Sequence, residues 1–335
     1  LELYRHFRNA CDSGITHVAM EVSSQALKYG RVRGISFDAG VFLNISEDHI
    51  SPVEHKDFQD YFQSKLLLFR QVKTACVNLD SPFSRTILQH AAAAEKIITF
   101  GTTAGADIYG YDLRADQGKV QFRVRCSAFD KPFSLAMHGI FNVENALAAI
   151  AVACSFGLPP EDMQAGLARV TVNGRMEEFQ SRDGNLRAIV DFAHNGLSFE
   201  KIFETVKQEY PDYRIAAVFG CPGGKALNRR KDLGLTAGKY CGRVYLSADD
   251  PGPEQVEDIC REIGSYVAST GCPYECIPDR EEAIRKAVAQ AEGKTVILVL
   301  GKGSETSQKI GHRDVAYRSD SEIVKECLRQ YDLLA

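Results

Sequence analysis

Carboxylate, imidazole and amide side chains follow two apolar segments near the start of the chain. These side chains are Glu21 within THVAMEVSS (16–24), and Asn44, Glu47, Asp48 and His49 at or after the end of FDAGVFLNIS (37–46). Both segments predict strands of an open parallel sheet, which places ligand groups at its strand ends. Carboxylate and imidazole groups suit a divalent cation of the Mg²⁺ or Mn²⁺ type. Asp48-His49 alone would favour a solvated loop or helix cap, but the two strand ends together favour a metal site.

Lys65 and three further polar strings are also candidates for chemistry. Lys65 lies in YFQSKLLLF, and its spacing alone favours a lysine whose alkyl stem is buried and whose ammonium reaches solvent. The three strings follow or end predicted strands: GRME (174–177), VDFAHN (190–195) and FGCPGGK (219–225). The last could form a nest of backbone N–H groups for an anion, although most glycine-rich loops are plain turns. No G-x-x-x-x-G-K-[S/T] phosphate loop occurs in the sequence.

The composition is that of an ordinary globular protein. The 335 residues include 40 Lys and Arg against 44 Asp and Glu, for a net charge of −4, which gives no reason to expect a nucleic-acid or anionic-membrane partner. The apolar runs are far shorter than the ~20 residues of a membrane-spanning helix. Ten cysteines without a C-x-x-C pair predict reduced, mostly buried thiols in a cytoplasmic protein.

The pattern of helices and strands predicts an α/β protein with two domains. The first residues show helical periodicity, so the sequence is expected to open inside a helix. Further predicted elements up to residue 157 are strands 16–24, 37–46 and 74–80, an amphipathic helix 56–72, an antiparallel hairpin within 96–135 and an alanine-rich helix 138–157. Cleaner β/α units follow and predict a second doubly wound domain. We place the boundary near 179–184, which gives domains 1–178 and 179–335.

Several strings together resemble the Mur ligases over essentially the whole chain. In family order they are MEVSSQALKYGRVRGISFDAGVFLNISEDHIS, YFQSKLLLF, GIFNVENALAA, VNGRMEEF, VDFAHN, SADDPGPE and LGKGSE. The resemblance implies a P-loop-type central ATPase domain followed by a Rossmann-like, doubly wound C-terminal domain. The family's N-terminal UDP-binding domain and P-loop have no counterpart in this sequence. We therefore expect the first domain to be an N-terminally truncated central domain.

The resemblance also assigns roles to individual residues. Glu21 and His49 match Mg²⁺ ligands, and Lys65 matches a lysine that is carbamylated to hold a second Mg²⁺, which overturns the interpretation from spacing. A carbamate can bind a cation, whereas an ammonium cannot. The positions that match contacts to the UDP-MurNAc-dipeptide are Ser23, Tyr29 and Arg31, with Tyr29 standing where some members have Gln. The positions that match ATP contacts are Asn142, Asn145, Arg175, Asp191 and His194.

The activity that this resemblance implies is an ATP-dependent amide ligation in the synthesis of peptidoglycan precursors. ATP would phosphorylate the D-Glu γ-carboxylate of UDP-MurNAc-L-Ala-D-Glu, and the amine of a diamino acid would attack the acyl phosphate. Arg230 matches an arginine that holds the amino acid's carboxylate, and Gly301 and Glu305 match further substrate contacts. Diaminopimelate-adding members carry D-N-P-R, but here Asp249 and Asp250 precede Pro251 and Gly252. An ammonium gains a partner from this change and a distal carboxylate loses one, so L-lysine is expected.

Other interpretations remain open. The sequence could belong to a non-catalytic, truncated binding protein of this family, or to a ligase that adds ornithine or meso-diaminopimelate. A ligase that adds glutamate to folate fits the EVSS, DH and GRME strings poorly. The full-length protein is expected to be a monomer that uses ATP and Mg²⁺.

Overall fold

The computed structural model describes residues 2–52, 54–116 and 118–334. Its framework is two six-stranded sheets, one in each half of the chain, with helices packed against both. The predicted domain ends at Leu1 and Ala335 lie outside the described residues. Among the described residues, no helix is long and apolar enough to cross a membrane. All ten cysteines are free thiols, and Cys11 and Cys276 are exposed.

The first sheet is parallel on one side and antiparallel on the other. Its strands, in spatial order, are β1 (Phe37–Phe42), β2 (Val72–Asn78), β3 (Lys96–Gly101), β4 (Ile108–Asp116), β5 (Lys119–Arg125) and β6 (Asp130–Leu135). The helices of this half are α1 (Glu2–Asp12), α2 (Ser24–Lys28), α3 (Phe58–Leu66), α4 (Ser84–Ala91), α5 (Asn142–Ser155) and α6 (Pro160–Leu167). The ladder is parallel from β1 to β4 and antiparallel from β4 to β6. This arrangement confirms the antiparallel hairpin predicted within 96–135.

The strand predicted over residues 16–24 is not formed, which corrects our expectation for Glu21. Residues 15–23 have no regular secondary structure, and α2 begins at Ser24. A strand needs a neighbour for its backbone hydrogen bonds, and in the described chain β1 pairs with β2 but with no segment from 15–23. Val18 is 58% exposed. Glu21 is exposed as well, and is not a carboxylate buried within a sheet.

The second sheet is parallel except for one edge strand. Its spatial order is β11 (Tyr274–Cys276), β10 (Arg243–Leu246), β9 (Arg214–Phe219), β12 (Thr295–Leu300), β8 (Leu186–Asp191) and β7 (Glu177–Gln180). The helices of this half are α7 (Gly196–Glu209), α8 (Asn228–Tyr240), α9 (Val256–Ser269), α10 (Arg280–Ala289) and α11 (Asp320–Leu334). A separate hairpin pairs β13 (Ser307–Ile310) with β14 (Arg313–Ala316).

The burial of strand β12 shows how the second sheet is packed between its helices. Its six residues, TVILVL, are all buried, as expected for a central parallel strand covered on both faces. Val296, Leu298 and Leu300 belong to one hydrophobic core, and Ile297 and Val299 belong to another. Alternate side chains therefore anchor helices on opposite faces of the sheet.

The antiparallel edge strand β7 was not predicted. It pairs with β8, so that the second sheet begins at Glu177 and the predicted boundary between residues 178 and 179 falls inside β7. The segment EEFQ is short, partly exposed and only weakly alternating, which explains why the sequence pattern did not reveal it.

Candidate active site

A cleft of about 540 Å³ lies between the two halves of the chain. Four of the five predicted ATP-binding residues line it: Asn142, Asn145, Arg175 and Asp191. The first two come from α5, the third from the loop before β7 and the fourth from the end of β8. Residues about 50 positions apart are thus brought to one cavity, which has the size of a small-molecule site.

The two asparagines on α5 are ordered by the turn that precedes the helix. Asn142 is buried and donates from Nδ2 to the carbonyl of His138 at 2.7 Å. Asn145 donates to Oδ1 of Asn142 at 3.0 Å and is itself exposed at the cleft. The turn reverses at Gly139, whose φ of 85° suits glycine. The first turn of α5 therefore presents amide groups to the cavity.

Asp191 and Arg175 form the opposite, C-terminal side of the cleft. Asp191 accepts hydrogen bonds from the backbone N–H groups of Met176 and Ala193 at 2.7 and 2.6 Å. Burial raises the pKa of Asp191 above its ordinary value, although these N–H groups oppose the rise. Arg175 is exposed and lies over the ring of Phe192 at 4.7 Å, which leaves its guanidinium available to an anion in the cleft.

His194 is not among the described residues that line the cleft. Its Nδ1 lies 2.8 Å from the carbonyl of Phe192. Burial, reinforced by the charge of Arg229, lowers the pKa of His194 to about 4. The imidazole is therefore neutral at physiological pH, and Nδ1 carries the proton that the carbonyl accepts.

Glu144 and Lys201, which the sequence analysis did not single out, also line the cleft. Glu144 on α5 accepts hydrogen bonds from Lys201 on α7 at 3.2 Å and from Asn78 at the end of β2 at 3.1 Å. Asn195 also lines the cleft. It is the N-cap of α7 and forms a capping box with Ser198. The pattern Asn-x-x-Ser before an apolar helix was the available sequence signal for this cap.

The loop after β1 carries His49 in a constrained conformation. His49 has φ 56°, in the left-handed region that a residue with a Cβ rarely adopts. Its Nδ1 lies 2.9 Å from Oε1 of Glu54, and its backbone N–H donates to Asp48 at 2.8 Å. Burial tends to raise the pKa of Glu54, but the contacts to His49 and Ser51 outweigh it and lower that pKa.

Asp48 is held from the other half of the chain. The guanidinium of Arg229 on α8 donates to both of its carboxylate oxygens, at 2.8 and 2.9 Å, and both residues are buried. Burial tends to raise the pKa of Asp48, but the hydrogen bonds and charge of Arg229 keep it below its ordinary value. A carboxylate paired in this way is engaged by Arg229 and is not free to serve as the metal ligand that the sequence suggested.

Lys65 lies on α3 in a partly desolvated position near this loop. Its ammonium lies 5.3 Å from the ring centre of Tyr61, and the ring of His49 lies 5.4 Å from the same ring. Burial lowers the pKa of Lys65, while the charges of Glu21 and Asp48 oppose the decrease. A lowered pKa increases the fraction of neutral amine, which is the form that reacts with CO₂.

The predicted contacts to the UDP-linked substrate lie around α2. Ser23 is the N-cap of this helix and accepts a hydrogen bond from the N–H of Ala26 at 3.1 Å. Tyr29 is 57% exposed, and the guanidinium of Arg31 lies 5.7 Å from the centre of its ring. These three residues form one exposed surface.

The structure brings together four of the five residues predicted to bind the incoming amino acid: Asp249, Asp250, Gly301 and Glu305. Lys302, which the sequence analysis missed, lies among them. Its ammonium is 2.8 Å from Asp250 and 2.6 Å from Glu305. A Cβ at Gly301 would lie 2.5 Å from Oδ2 of Asp249, so glycine permits this close approach. Two flanking glycines in G-K-G were the signal that could have pointed to Lys302.

The pKa values of the two aspartates of this group are shifted in opposite directions. Burial raises the pKa of Asp249, against the charges of Arg280 and Lys302. For Asp250, hydrogen bonds from Lys302 and from the N–H of Lys309 outweigh burial and lower the pKa. Asp250 is therefore the more firmly ionised of the pair. Hairpin β13–β14 covers the group through the hydrogen bond from Lys309 to Asp250, at 3.0 Å.

Arg230 has different partners from the one we predicted. Its guanidinium lies 2.5 Å from Glu254 and 2.7 Å from Glu262, and the residue is buried. A carboxylate of the amino acid could reach it only if one of these glutamates moved aside. Lys225, in contrast, is exposed on the nearby glycine-rich loop, and its charge helps to lower the pKa of Asp250 after the larger effects of burial and Lys302.

The predicted Mg²⁺ ligands are of the right chemical types, since carboxylate, imidazole and carbamate groups all bind hard divalent cations. The described residues contain no group of three or more His, Cys, Asp or Glu side chains arranged to hold a metal ion. The side chains of Lys65 and His49 both lie against the ring of Tyr61, and the charge of Glu21 acts on Lys65. The donor set fits a site that a carbamate on Lys65 would complete.

Comparisons with known proteins agree with this arrangement. Residues 1–153 match the family described as Mur ligase middle domain, and residues 174–303 match the family described as Mur ligase, glutamate ligase domain. The UDP-N-acetylmuramoyl-L-alanyl-D-glutamate--L-lysine ligase of Streptococcus pyogenes serotype M2 is 36% identical over 330 residues, which cover 98% of this chain. The chain spans 66% of the length of that relative.

Solved structures show the same fold. A UDP-N-acetylmuramoyl-L-alanyl-D-glutamate--2,6-diaminopimelate ligase is 26% identical, with a TM-score of 0.62 over 99% of this chain and 68% of the other. MurF from Acinetobacter baumannii is 17% identical, with a TM-score of 0.64 over 89% of this chain and 60% of the other, and supports the fold alone. By its two domains and by these relatives, the chain belongs to the Mur ligase family.

Proposed function

We propose that this chain carries the catalytic and amino-acid-binding parts of an ATP-dependent amide ligase that adds L-lysine to UDP-MurNAc-L-Ala-D-Glu in peptidoglycan precursor synthesis. The observation that carries the proposal is the cleft between the two halves, which gathers Asn142, Asn145, Arg175 and Asp191 at one cavity. The relatives described above are named for this reaction with lysine or with diaminopimelate. The proposed place of action is the cytoplasm.

In this proposal the nucleotide binds in the cleft. The amide groups of Asn142 and Asn145 would hydrogen-bond the adenosine, and Arg175 would pair with the phosphates. The γ-phosphoryl group of ATP passes to the γ-carboxylate of the D-Glu residue, which releases ADP and forms an acyl phosphate. The amine of lysine, after loss of a proton, attacks the acyl carbon, and inorganic phosphate leaves as the amide bond forms. Arginine near the transferring group stabilises its negative charge.

Mg²⁺ would be held by Glu21, His49 and a carbamate on Lys65. When bound, it would neutralise charge on the phosphoryl oxygens. Tyr61 lies against both Lys65 and His49 and would keep the two side chains in place. Ser23, Tyr29 and Arg31 would bind the UDP-MurNAc-dipeptide on the exposed surface around α2.

The preference for lysine follows from the group around Lys302. Asp249, Asp250 and Glu305 contribute three carboxyl groups, and Lys302 supplies one ammonium. The outer parts of Asp250 and Glu305 are accessible, with side-chain exposures of 29% and 42%. A cationic side chain would gain partners there, whereas the distal carboxylate of diaminopimelate would meet like charges. Gly252 offers no side chain to such a carboxylate.

Trapping of the acyl phosphate tests the proposal. The protein, in the length that the cell makes, is incubated with ATP, Mg²⁺, UDP-MurNAc-L-Ala-D-Glu and hydroxylamine, without an amino acid. We expect ADP and the γ-hydroxamate of the dipeptide in equal amounts, identified by mass spectrometry. A non-catalytic binding protein would bind the nucleotide sugar and form neither product, and that result would refute the proposed function.

A further inference from the structure

Arg229 and Asp48 form a buried ion pair that joins the two halves of the chain. They are 181 positions apart in sequence, and two parallel hydrogen bonds of 2.8 and 2.9 Å connect them. Asp48 is 4% exposed and Arg229 is 7% exposed. A bidentate pair of this kind fixes relative orientation as well as distance, so the contact ties α8 to the loop after β1 in one geometry.

The same carboxylate also sets the backbone of its neighbour. Asp48 accepts a hydrogen bond from the N–H of His49 at 2.8 Å, and Asn195 donates to it from the second half at 3.4 Å. His49 lies in the left-handed region, which residues other than glycine adopt uncommonly. Asp48 therefore links Arg229 directly to His49, the residue that we propose as a metal ligand.

The two consecutive arginines at the start of α8 serve different parts of the molecule. Arg230 turns to Glu254 and Glu262 within the second half, while Arg229 reaches across to the first half. Arg230 thus makes its ion pairs within the second half, whereas Arg229 makes its ion pair with the first half. This difference in partners indicates that Arg229 acts on the contact between the two halves.

We infer that Arg229 is a positioning residue: by pairing with Asp48 it holds the second half closed against the first, and it orders residues 47–52 after β1 only in the closed arrangement. In the open arrangement Asp48 would lose Arg229 and Asn195 together, and His49 would lose the constraint on its backbone. The catalytic part of this inference rests on the proposed function. The structural part does not.

The structural part is tested without substrates. Small-angle X-ray scattering reports closure, and hydrogen exchange read by mass spectrometry reports order in residues 47–52. Arg229→Gln and Asp48→Asn should each increase the radius of gyration and speed exchange in the loop. Arg229→Lys should recover closure in part, because one ammonium cannot make both bonds. The exchanged pair Asp48→Arg with Arg229→Asp should restore the compact scattering profile.

A matched control distinguishes general destabilisation of the protein from loss of closure. Arg214→Gln removes an exposed pair with Glu292 at 3.6 Å that lies within the second half, and it should leave scattering and exchange unchanged. Circular dichroism confirms that each variant is folded. If Arg229→Gln leaves both readouts at the wild-type values, or if the exchanged pair stays as open as the single variants, the inference is refuted.

The catalytic part uses steady-state ligation with the complete substrates. Arg229→Gln should lower kcat roughly tenfold or more, because a misplaced group near the reacting atoms is costly, while the KM for UDP-MurNAc-L-Ala-D-Glu stays within about twofold of wild type. Unchanged kcat in a variant that has lost closure would contradict the positioning role. If the wild-type protein shows no ligation at all, the proposed function fails, and scattering and exchange still decide whether the pair closes the molecule.

Discussion

The ammonium of Lys302 lies 2.8 Å from a carboxylate oxygen of Asp250, and Lys302 itself is only 1% exposed. This buried cation lies among acids that we expect to select the incoming amino acid. Its charge lets Asp250 remain ionised despite partial burial, which keeps a carboxylate ready for a second, incoming ammonium.

Replacement of Lys302 by methionine should destabilise the second half of the chain. The change leaves Asp250 and Glu305 without their shared partner, at a cost of about 1–3 kcal/mol for hydrogen-bonded groups that are still partly open to water. Urea unfolding at pH 7 measures this difference. Lys309→Met is the matched control, since Lys309 is exposed and contacts Asp250 through its backbone N–H. Equal stability of the two variants would contradict the assigned role of Lys302.

His138 should make the stability depend on pH above neutrality. Both ring nitrogens face carboxylates at 3.0 Å, Glu178 on β7 and Glu209 on α7. Burial lowers the pKa of His138, but these carboxylates outweigh it and raise the pKa to about 9 from the ordinary 6.5. The folded pKa is the higher one, so the stabilisation is complete below about pH 6.5 and is lost as the pH rises through about 9.

The size of this effect follows from the two pKa values. The difference between about 9 and 6.5 corresponds to about 3 kcal/mol at pH 6. His138→Gln should lose that amount at pH 6 and very little at pH 10, as measured by urea unfolding at both pH values. His90→Gln, which changes an exposed histidine bonded to the backbone carbonyl of Thr86, is the control. A pH-independent loss in His138→Gln would argue against the charged pair.

Lys65 should take up CO₂ more readily than an ordinary surface lysine. Burial lowers its pKa, so that more neutral amine is present near pH 8 to form the carbamate. After equilibration with ¹³C-labelled bicarbonate, wild-type protein should show a carbamate resonance by NMR that Lys65→Arg lacks. Ligation by Lys65→Arg should be reduced by several orders of magnitude, since a guanidinium cannot ligate a cation. Full activity in this variant would show that ligation does not need a carbamate at this position.

Arg175 should contribute to nucleotide binding. Its exposed guanidinium lies at the cleft, and loss of a charge-assisted hydrogen bond costs about 1.5–3 kcal/mol. Arg175→Gln should therefore raise the KM for ATP roughly 10- to 100-fold. Arg169→Gln, at an exposed arginine that bonds to the carbonyl of Ala165 within its own turn, is the control and should leave that KM unchanged. An unchanged KM in Arg175→Gln would remove this residue from the site.

The sequence predicted those parts of the fold that depend on local patterns. Runs such as TVILVL in β12 are apolar throughout and are central strands. The segment THVAMEVSS, which its apolar residues also predicted to be a strand, forms none, because in the described chain it pairs with no neighbour. Composition predicts that a segment can be a strand, whereas pairing decides whether it becomes one.

The site was predictable only where residues belong to recognisable strings. Asn142, Asn145, Arg175 and Asp191, which such strings singled out, line one cleft. The partnership of Asp48 with Arg229 was not predictable, because 181 positions separate the residues and each could equally have been a surface charge. Arg230 is a different case. A sequence motif assigned it to substrate binding, whereas in the structure it pairs with Glu254 and Glu262.

Competition between amino acids tests the central claim most directly. The protein, in the length that the cell makes, is supplied with ATP, Mg²⁺, UDP-MurNAc-L-Ala-D-Glu and equal concentrations of L-lysine, L-ornithine and meso-diaminopimelate. Mass spectrometry then identifies which tripeptide product forms. The account predicts that the lysine product dominates and that ADP appears in equal amount. A dominant diaminopimelate product, or no amide product at all, would contradict it.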